Sequence, residues 1–325
     1  MKAVACPRYG SPDVLELRDI TKPTPKTNGV LIKVYASSVN ASDWRLMRAN
    51  PFLVRLTEGF SKPKHPVLGS DVAGRVEAVG TNVTQFEVGD EVLGDLSGAG
   101  FGAFAEYAVA PESVLIHKPA ALSFEQAAAL PMAAVTALQG LRDYGQIEAG
   151  QKVLINGASG GVGSFAVQLA RFFGTEVTGV CRTEKVDMVR SLGADHIIDY
   201  TEKDFTQEAE RYDLILGVGG FHPLAAYKRV LRPGGRYVMA GGETRQIMQA
   251  TFLGPLLSLR GDKKLMGYVA KPSQEDLTFV AGLLESGKLT PVIDRCYPLA
   301  EVPEAIRYLE AGRARGKVVI TVARD

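Results

Sequence analysis

Residues 151–163, QKVLINGASGGVG, restrict the fold of this chain more than any other stretch. Residues 152–155 are a short apolar run, the composition of a strand buried on both faces. The turn Gly157-Ala158-Ser159-Gly160-Gly161-Val162-Gly163 follows. Residues 164–173 then read as a helix that Gly174 terminates. Residues 176–180 form a second strand. Strand, glycine turn, helix and strand are the context that a dinucleotide-binding fingerprint requires. Its glycines let the backbone pass close to a pyrophosphate, and the N–H groups at the helix start face that charge. The pattern here is Ala158-x-Gly160-x-x-Gly163, with alanine in the first glycine place. Taken alone, it is also compatible with a tight turn that binds nothing.

The neighbouring segments extend the pattern. From residue 151 to 240 strands and helices alternate, with further strands expected at 196–199, 212–216 and 236–240 and helices at 186–192 and 224–230. This order predicts a doubly wound parallel sheet. Residues 1 to about 120 read differently, as short β runs (14–17, 30–36, 71–80, 91–94, 104–110) separated by proline, glycine and asparagine. That spacing suggests a barrel-like unit. Ser123 with Gln126 marks a helix start. A second helix is expected at 133–144. The tail offers a strand at 265–268, helices at 275–285 and 304–310, and extended runs at 293–299 and 317–322. It is expected to return to the first unit.

A length of 325 residues with 46% apolar content suggests two domains. A net charge of +1 gives no footing for nucleic acid. Cys6, Cys181 and Cys296 are too scattered for a disulfide framework or a Cys-x-x-Cys metal site, which fits a cytoplasmic setting. The start MKAVACPRYG lacks the apolar core of a signal peptide. No apolar run approaches the roughly 20 residues of a membrane span. The apolar stretch 248–259 reads as a cover on a pocket or as a subunit contact.

Several separated motifs carry a family resemblance: Pro66-x-x-Gly69-x-Asp71-x-Ala73-Gly74, Val88-Gly89-Asp90-x-Val92, Ala105-Glu106-Tyr107, the glycine turn, Gly193-Ala194-Asp195, and Gly316-Lys317-Val318-Val319. In order and spacing the whole chain resembles the medium-chain dehydrogenase/reductase superfamily, in its zinc-free quinone-oxidoreductase-like branch. The resemblance implies an α/β chain: a GroES-like β-rich catalytic domain (1–122 and 266–325) and a Rossmann doubly wound parallel-sheet domain (123–265), with a cofactor in the cleft between them. Members are often dimers, so a homodimer is expected by analogy.

The zinc enzymes of that superfamily bind their ion through cysteine and histidine. Where they place the first ligand cysteine, this chain carries Asn40; where they have Gly-His-Glu, it has Gly69-Ser70-Asp71. His65 and His117 lack a partner cysteine, and no metal is expected. Without a Lewis acid, the cofactor does the hydride chemistry on acceptors that are already electron-poor: quinones or α,β-unsaturated carbonyls. Asn40 and Arg45 lie where the family lines the acceptor pocket, and Asn40 also reaches the cofactor. Related reductases often carry Tyr in place of Arg45. A helix cap for Asn40 and a solvated helix face for Arg45 remain open.

The resemblance also distributes the cofactor contacts. Ser159, Gly160, Gly161, Val162 and Gly163 would take the pyrophosphate. An acidic residue after the second strand would bind the ribose of NADH. Here the matching position is Arg182, with Thr183 and Lys185 beside it, and Tyr200 matches the family's adenosine-phosphate tyrosine. This set suits the 2′-phosphate of NADPH, with Glu184 the discordant residue. Val218, Ala240 and Gly241 would pass under the ribose and nicotinamide, although many relatives have Asp at Gly217. Arg315 would return to the cofactor, or lie in a basic surface turn. Two other readings fit part of the pattern. Residues 231–236 also suit a methyltransferase binding S-adenosylmethionine, but Arg182 and the β-rich first unit argue against it. A non-catalytic NADPH-binding sensor or assembly factor of the same fold stays open.

Overall fold

The computed structural model describes residues 1–259 and 261–323. Its strands in chain order are β1 (Lys2–Ala5), β2 (Glu16–Asp19), β3 (Gly29–Val39), β4 (Asp71–Val79), β5 (Glu91–Asp95), β6 (Tyr107–Pro111), β7 (Leu115–His117), β8 (Lys152–Asn156), β9 (Glu176–Cys181), β10 (His196–Asp199), β11 (Tyr212–Gly217), β12 (Leu231–Met239), β13 (Lys264–Gly267), β14 (Ile293–Pro298) and β15 (Lys317–Thr321). The chain divides into two compact units. One is Met1–Ala133, Pro272–Glu285 and Ile293–Asp325; the other is Ala134–Lys271 and Ser286–Val292.

The first unit is built on β3. Its residues are almost all buried because it is covered along its length. Gly29–Lys33 pair with β6, Ala36–Val39 with β15, and β4 runs along the whole strand. The sheet order is β14-β15-β3-β4-β5-β7. Side chains of these strands supply one apolar cluster and, with Met47 and Ile306 from helices and Phe104 from a loop, part of a second. Val30, Ile32, Val34, Val72 and Val92 form one. Val39, Met47, Phe104, Ile306 and Val318 form the other. The strands β1 and β7 and the helix Val54–Glu58 have too few residues to show a pattern in sequence, and were not foreseen.

The second unit is a parallel six-stranded sheet in the order β10-β9-β8-β11-β12-β13. The chain winds outward from β8 to β10, then returns to β11 on the other side of β8. Strand order therefore reverses between β8 and β11, and in such sheets ligands bind at the carboxyl ends beside the reversal.

The division falls elsewhere than the expected boundaries. Residues 123–133 stay with the first unit. Phe124, in a helix capped by Ser123 and Gln126, stacks on Tyr35 at 4.3 Å, and the Met132 N–H donates to Asp71 at 2.8 Å. Residues 264–267, of which 266 and 267 are expected in the first unit, pair with β12 as the sixth parallel strand. Ser286–Val292 also join the second unit, where the Gln168 amide and the Thr290 backbone exchange bonds of 3.0 and 2.8 Å. Residues 133–144 form the helix Pro131–Gln139 continued by a π-helical turn, Gly140–Tyr144. Among the described residues no helix is long and apolar enough to cross a membrane.

Candidate functional site

The glycine turn leaves β8 through Gly157, whose φ of +93° favours glycine. Gly157 and Ala158 both donate to the carbonyl of Val180, at 3.2 and 3.0 Å, which ties the turn to β9. Gly160 is the N-cap of the helix Gly161–Phe172. A Cβ on Gly163 would stand 2.1 Å from the Gly157 carbonyl oxygen, so only glycine lets the helix approach the strand this closely. A Cβ on Gly160 would meet nothing nearer than 3.6 Å. The space over the turn is therefore open, as a phosphate needs. The departure at Ala158 has a local cause. A Cβ on Gly179 would lie 3.2 Å from the Ala158 methyl, so the bare backbone of β9 makes room for it.

Just beyond β9, the Arg182 Nε–H donates to the Tyr200 hydroxyl at 2.6 Å. Arg182 keeps 54% of its side chain exposed, and Glu184 stands 4.0 Å away. The Thr183 hydroxyl lies 3.1 Å from that of Thr201. Hydrogen bonds from Thr183 and Thr201 hold the Asp199 carboxyl below its usual range. Lys185 differs from the expectation. It is buried, close enough to Cys181 to oppose the rise that burial gives that thiol. The structure thus gathers Arg182, Thr183 and Tyr200 at one edge, with Lys185 turned inward.

The ends of β11 and β12 close the floor beside the turn. Val218 N–H donates to the Asn156 carbonyl at 2.9 Å, and Ala240 and Gly241 both donate to Gly217, at 2.9 and 3.2 Å. The Asn156 amide donates to the Gly219 carbonyl and to the Tyr227 hydroxyl, at 3.0 and 2.9 Å. A Cβ on Gly217 would stand 2.9 Å from the Tyr237 hydroxyl. Tyr237, stacked on Tyr227 at 4.0 Å, therefore takes the room a side chain would need there. Ser159 to Gly163, Val218, Ala240 and Gly241 all lie at this carboxyl edge of the sheet.

The first unit holds a buried polar cluster. The Lys317 ammonium, 2% exposed, donates to Asn40 Oδ1 at 2.6 Å and to Asp71 Oδ2 at 3.3 Å. Asn40 Nδ2 donates to the same Asp71 oxygen at 2.8 Å, and Ser38 Oγ donates to it as well. Asp43, in the first turn of the helix Ala41–Arg48, accepts the backbone N–H of Asn40 at 2.7 Å and of Gly69 at 3.2 Å. Burial pushes its carboxyl up to about 7, against these N–H bonds and with help from the charge of Asp71. Asp95 is pushed up to about 6, by burial and by Asp71. The Asn40 amide bonds to Asp71, Ser38 and Lys317. Arg45 is half-buried and lies over the Trp44 ring at 5.0 Å. Arg315 is exposed, its N–H bound to Asp294 at 3.0 Å. Sequence reasoning quoted Asp71 and Lys317 only as motif letters; their partnership crosses 246 residues and carries no local signal.

This cluster does not fit zinc. Around Asn40 it offers the Asp71 carboxylate, already bonded on both oxygens, one amide and a lysine ammonium that repels a dication, while the Asp43 carboxyl is taken up by backbone N–H groups. Among the described residues no group of three or more His, Cys, Asp or Glu could hold a metal. His65 lies beside Phe101 and His117 beside Phe86.

Residues 26–120 match the alcohol dehydrogenase GroES-like domain, and residues 192–320 match a model described as zinc-binding dehydrogenase. A chloroplastic quinone-oxidoreductase homolog of Spinacia oleracea is 33% identical over 98% of both chains. A chloroplastic NADPH-dependent alkenal/one oxidoreductase of Arabidopsis thaliana is 36% identical over 98% of this chain and 79% of its own. The solved structure of a quinone oxidoreductase from Coxiella burnetii superposes with a TM-score of 0.89 at 31% identity, covering 99% of each chain.

Proposed function

The chain belongs to the medium-chain dehydrogenase/reductase superfamily, in its quinone-oxidoreductase-like branch, and on that premise we propose that it is an NADPH-dependent reductase of quinones or α,β-unsaturated carbonyls that works without zinc. The observation that carries the cofactor choice is Arg182 bonded to Tyr200 at the end of β9, where an NADH enzyme would have a carboxylate. When bound, the cofactor supplies a hydride from nicotinamide C4. The open glycine turn takes its pyrophosphate on the N–H groups at the helix start. Arg182, Tyr200 and the Thr183 hydroxyl hold the 2′-phosphate. Val218, Ala240 and Gly241 form the floor that follows. In the first unit, Asp71 and Lys317 fix Asn40 and with it the start of the helix that carries Arg45. Arg45, on that helix, is the proposed cationic partner of a developing oxyanion. Arg315 remains a candidate contact for the cofactor.

The division of labour, with a catalytic unit and a nucleotide unit, follows the same premise. A homodimer is supported by the exposed Phe252, Leu253, Leu256 and Leu259, which sit beside the edge strand β13. The cytoplasmic setting rests on the cysteine pattern alone, and the Spinacia and Arabidopsis relatives are named as chloroplastic. A second reading, the non-catalytic NADPH sensor, is favoured by the committed amide of Asn40. One assay separates the two. Protein, NADPH and a panel of quinones and enals are mixed, and the absorbance of the reduced nicotinamide is followed. Turnover on at least one acceptor is expected; tight NADPH binding with turnover on none leaves the sensor.

A further inference from the structure

One apolar surface plays no part in the site above. Phe52, Leu53, Leu56 and Phe60 are 60%, 50%, 70% and 68% exposed. Phe52 and Leu53 lie in the turn that leads into the helix Val54–Glu58, Leu56 lies within it and Phe60 two residues past its end. The Phe52 and Phe60 rings meet edge to face at 6.3 Å, which joins the two sides of the helix. Four exposed large apolar side chains thus fall within residues 52–60, two of them in ring contact. Isolated exposed apolar residues need no explanation, but a group on one short segment does.

The segment is also held in place. The Tyr9 hydroxyl donates to the carbonyls of Glu58 and Gly59, at 3.1 and 2.6 Å, and Lys64 N–H donates to Glu58 at 2.6 Å. Gly59 has φ +109°, and a Cβ there would lie 2.3 Å from the Lys62 carbonyl, so the turn is tightly folded. The four side chains stand outward on a braced loop. Around them are cations. Lys62 and Lys64 are exposed, and the Arg55 guanidinium lies over the Phe52 ring at 5.2 Å; Glu58 is the single acid between residues 49 and 65. Aromatic and leucine side chains ringed by lysine and arginine have the composition of segments that lie in the headgroup region of anionic bilayers. The apolar tips enter the acyl boundary, and the cations stay at the phosphate level.

We propose that residues 51–64 form an interfacial contact that docks the protein on anionic phospholipid membranes. This goes beyond the reductase reading and does not need it. Should that reading hold, the same contact would bring the protein to the phase in which apolar quinones dissolve.

The experiment is co-sedimentation with vesicles, in the absence of NADPH and acceptor. One set is pure phosphatidylcholine; the other contains about one third phosphatidylglycerol. The wild type is expected to sediment with the anionic set and to be released by salt. F52S/L56S/F60S is expected to lose roughly tenfold or more in partitioning, and K62E/K64E to lose the salt-sensitive part. Thermal unfolding of each variant checks that it is folded. The proposal is overturned if the wild type stays in the supernatant with both sets, or if the variants sediment as it does. It is also overturned if the triple variant only raises KM for a water-soluble quinone, which would make the patch a substrate rim. Loss of a self-association or of a protein contact with vesicle binding unchanged overturns it too. Because no turnover is measured in the sedimentation itself, failure here is distinct from failure of the reductase reading.

Discussion

The Lys317 ammonium is 2.6 Å from the side-chain oxygen of Asn40, although the two residues are 277 apart in the chain. It is the buried cation that balances Asp71, itself fully buried. Truncating one partner of such a pair leaves the other charged and dry, at a cost of about 3–5 kcal/mol. Lys317→Met is therefore expected to destabilise the protein by that amount in urea unfolding. A loss below about 1 kcal/mol would mean that water reaches Asp71 and that the cluster is not the anchor argued here.

The carboxyl of Asp43 gives a pH signature of definite sign. An unfolded aspartate titrates near 3.9, whereas burial holds folded Asp43 up to about 7. Between these values the native state keeps a proton that the unfolded chain has released. By linkage, this group's contribution to stability falls as the pH rises from about 4 to about 7, then levels off. The stability of wild type relative to Asp43→Ala should thus drop by up to about 4 kcal/mol across that window. Asp95 shifts in the same direction, up to about 6, and is common to both proteins. A wild-type-to-variant difference that stays constant over the window would show that Asp43 is ionised throughout.

On the proposed reading, Arg182, whose guanidinium donates to Tyr200, sets the nucleotide preference. Replacing it with Glu removes a charge-assisted bond to a 2′-phosphate and adds a repelling carboxylate beside Glu184. Fluorescence titration of Arg182→Glu is expected to show the NADPH-over-NADH affinity ratio reduced roughly 10- to 100-fold. An unchanged ratio would move the selectivity to other groups.

What could be read from the sequence was what is written locally. The glycine turn, the strand runs on either side of it and the Ser123–Gln126 cap each lie within a few residues, and the structure has all three. The doubly wound sheet followed from their order. What could not be read depends on distant partners. Strand β13 is four residues long, and nothing within it says that it pairs with Arg236–Met239. Lys185 reads as a second exposed cation because its neighbours Arg182 and Thr183 are surface residues, yet the short turn Thr183–Lys185 rotates it inward. Asn40 was legible as the residue standing where a metal ligand would be. That its amide is consumed by Lys317 was not, because the contact joins the two ends of the first unit.

Two glycines of one turn should fail in opposite ways. At Gly163 a methyl group would sit 2.1 Å from the Gly157 carbonyl oxygen, against backbone that cannot yield without moving the helix off β8. Gly163→Ala is expected to cost about 1–3 kcal/mol in unfolding experiments and to weaken nucleotide binding as a consequence. At Gly160 the nearest atom is 3.6 Å from the added carbon, an ordinary contact, and φ is −85°, which any residue adopts. Gly160→Ala should therefore keep its stability within about 1 kcal/mol, since the N-cap there uses no side chain. Its methyl group would instead stand in the open space over the turn, where the pyrophosphate is argued to lie. NADPH affinity is expected to fall at least roughly tenfold, with the thermal midpoint of the free protein nearly unchanged. If Gly160→Ala binds NADPH as tightly as wild type, the phosphate does not lie over this turn, and Arg182 could no longer be assigned to the far end of the same nucleotide.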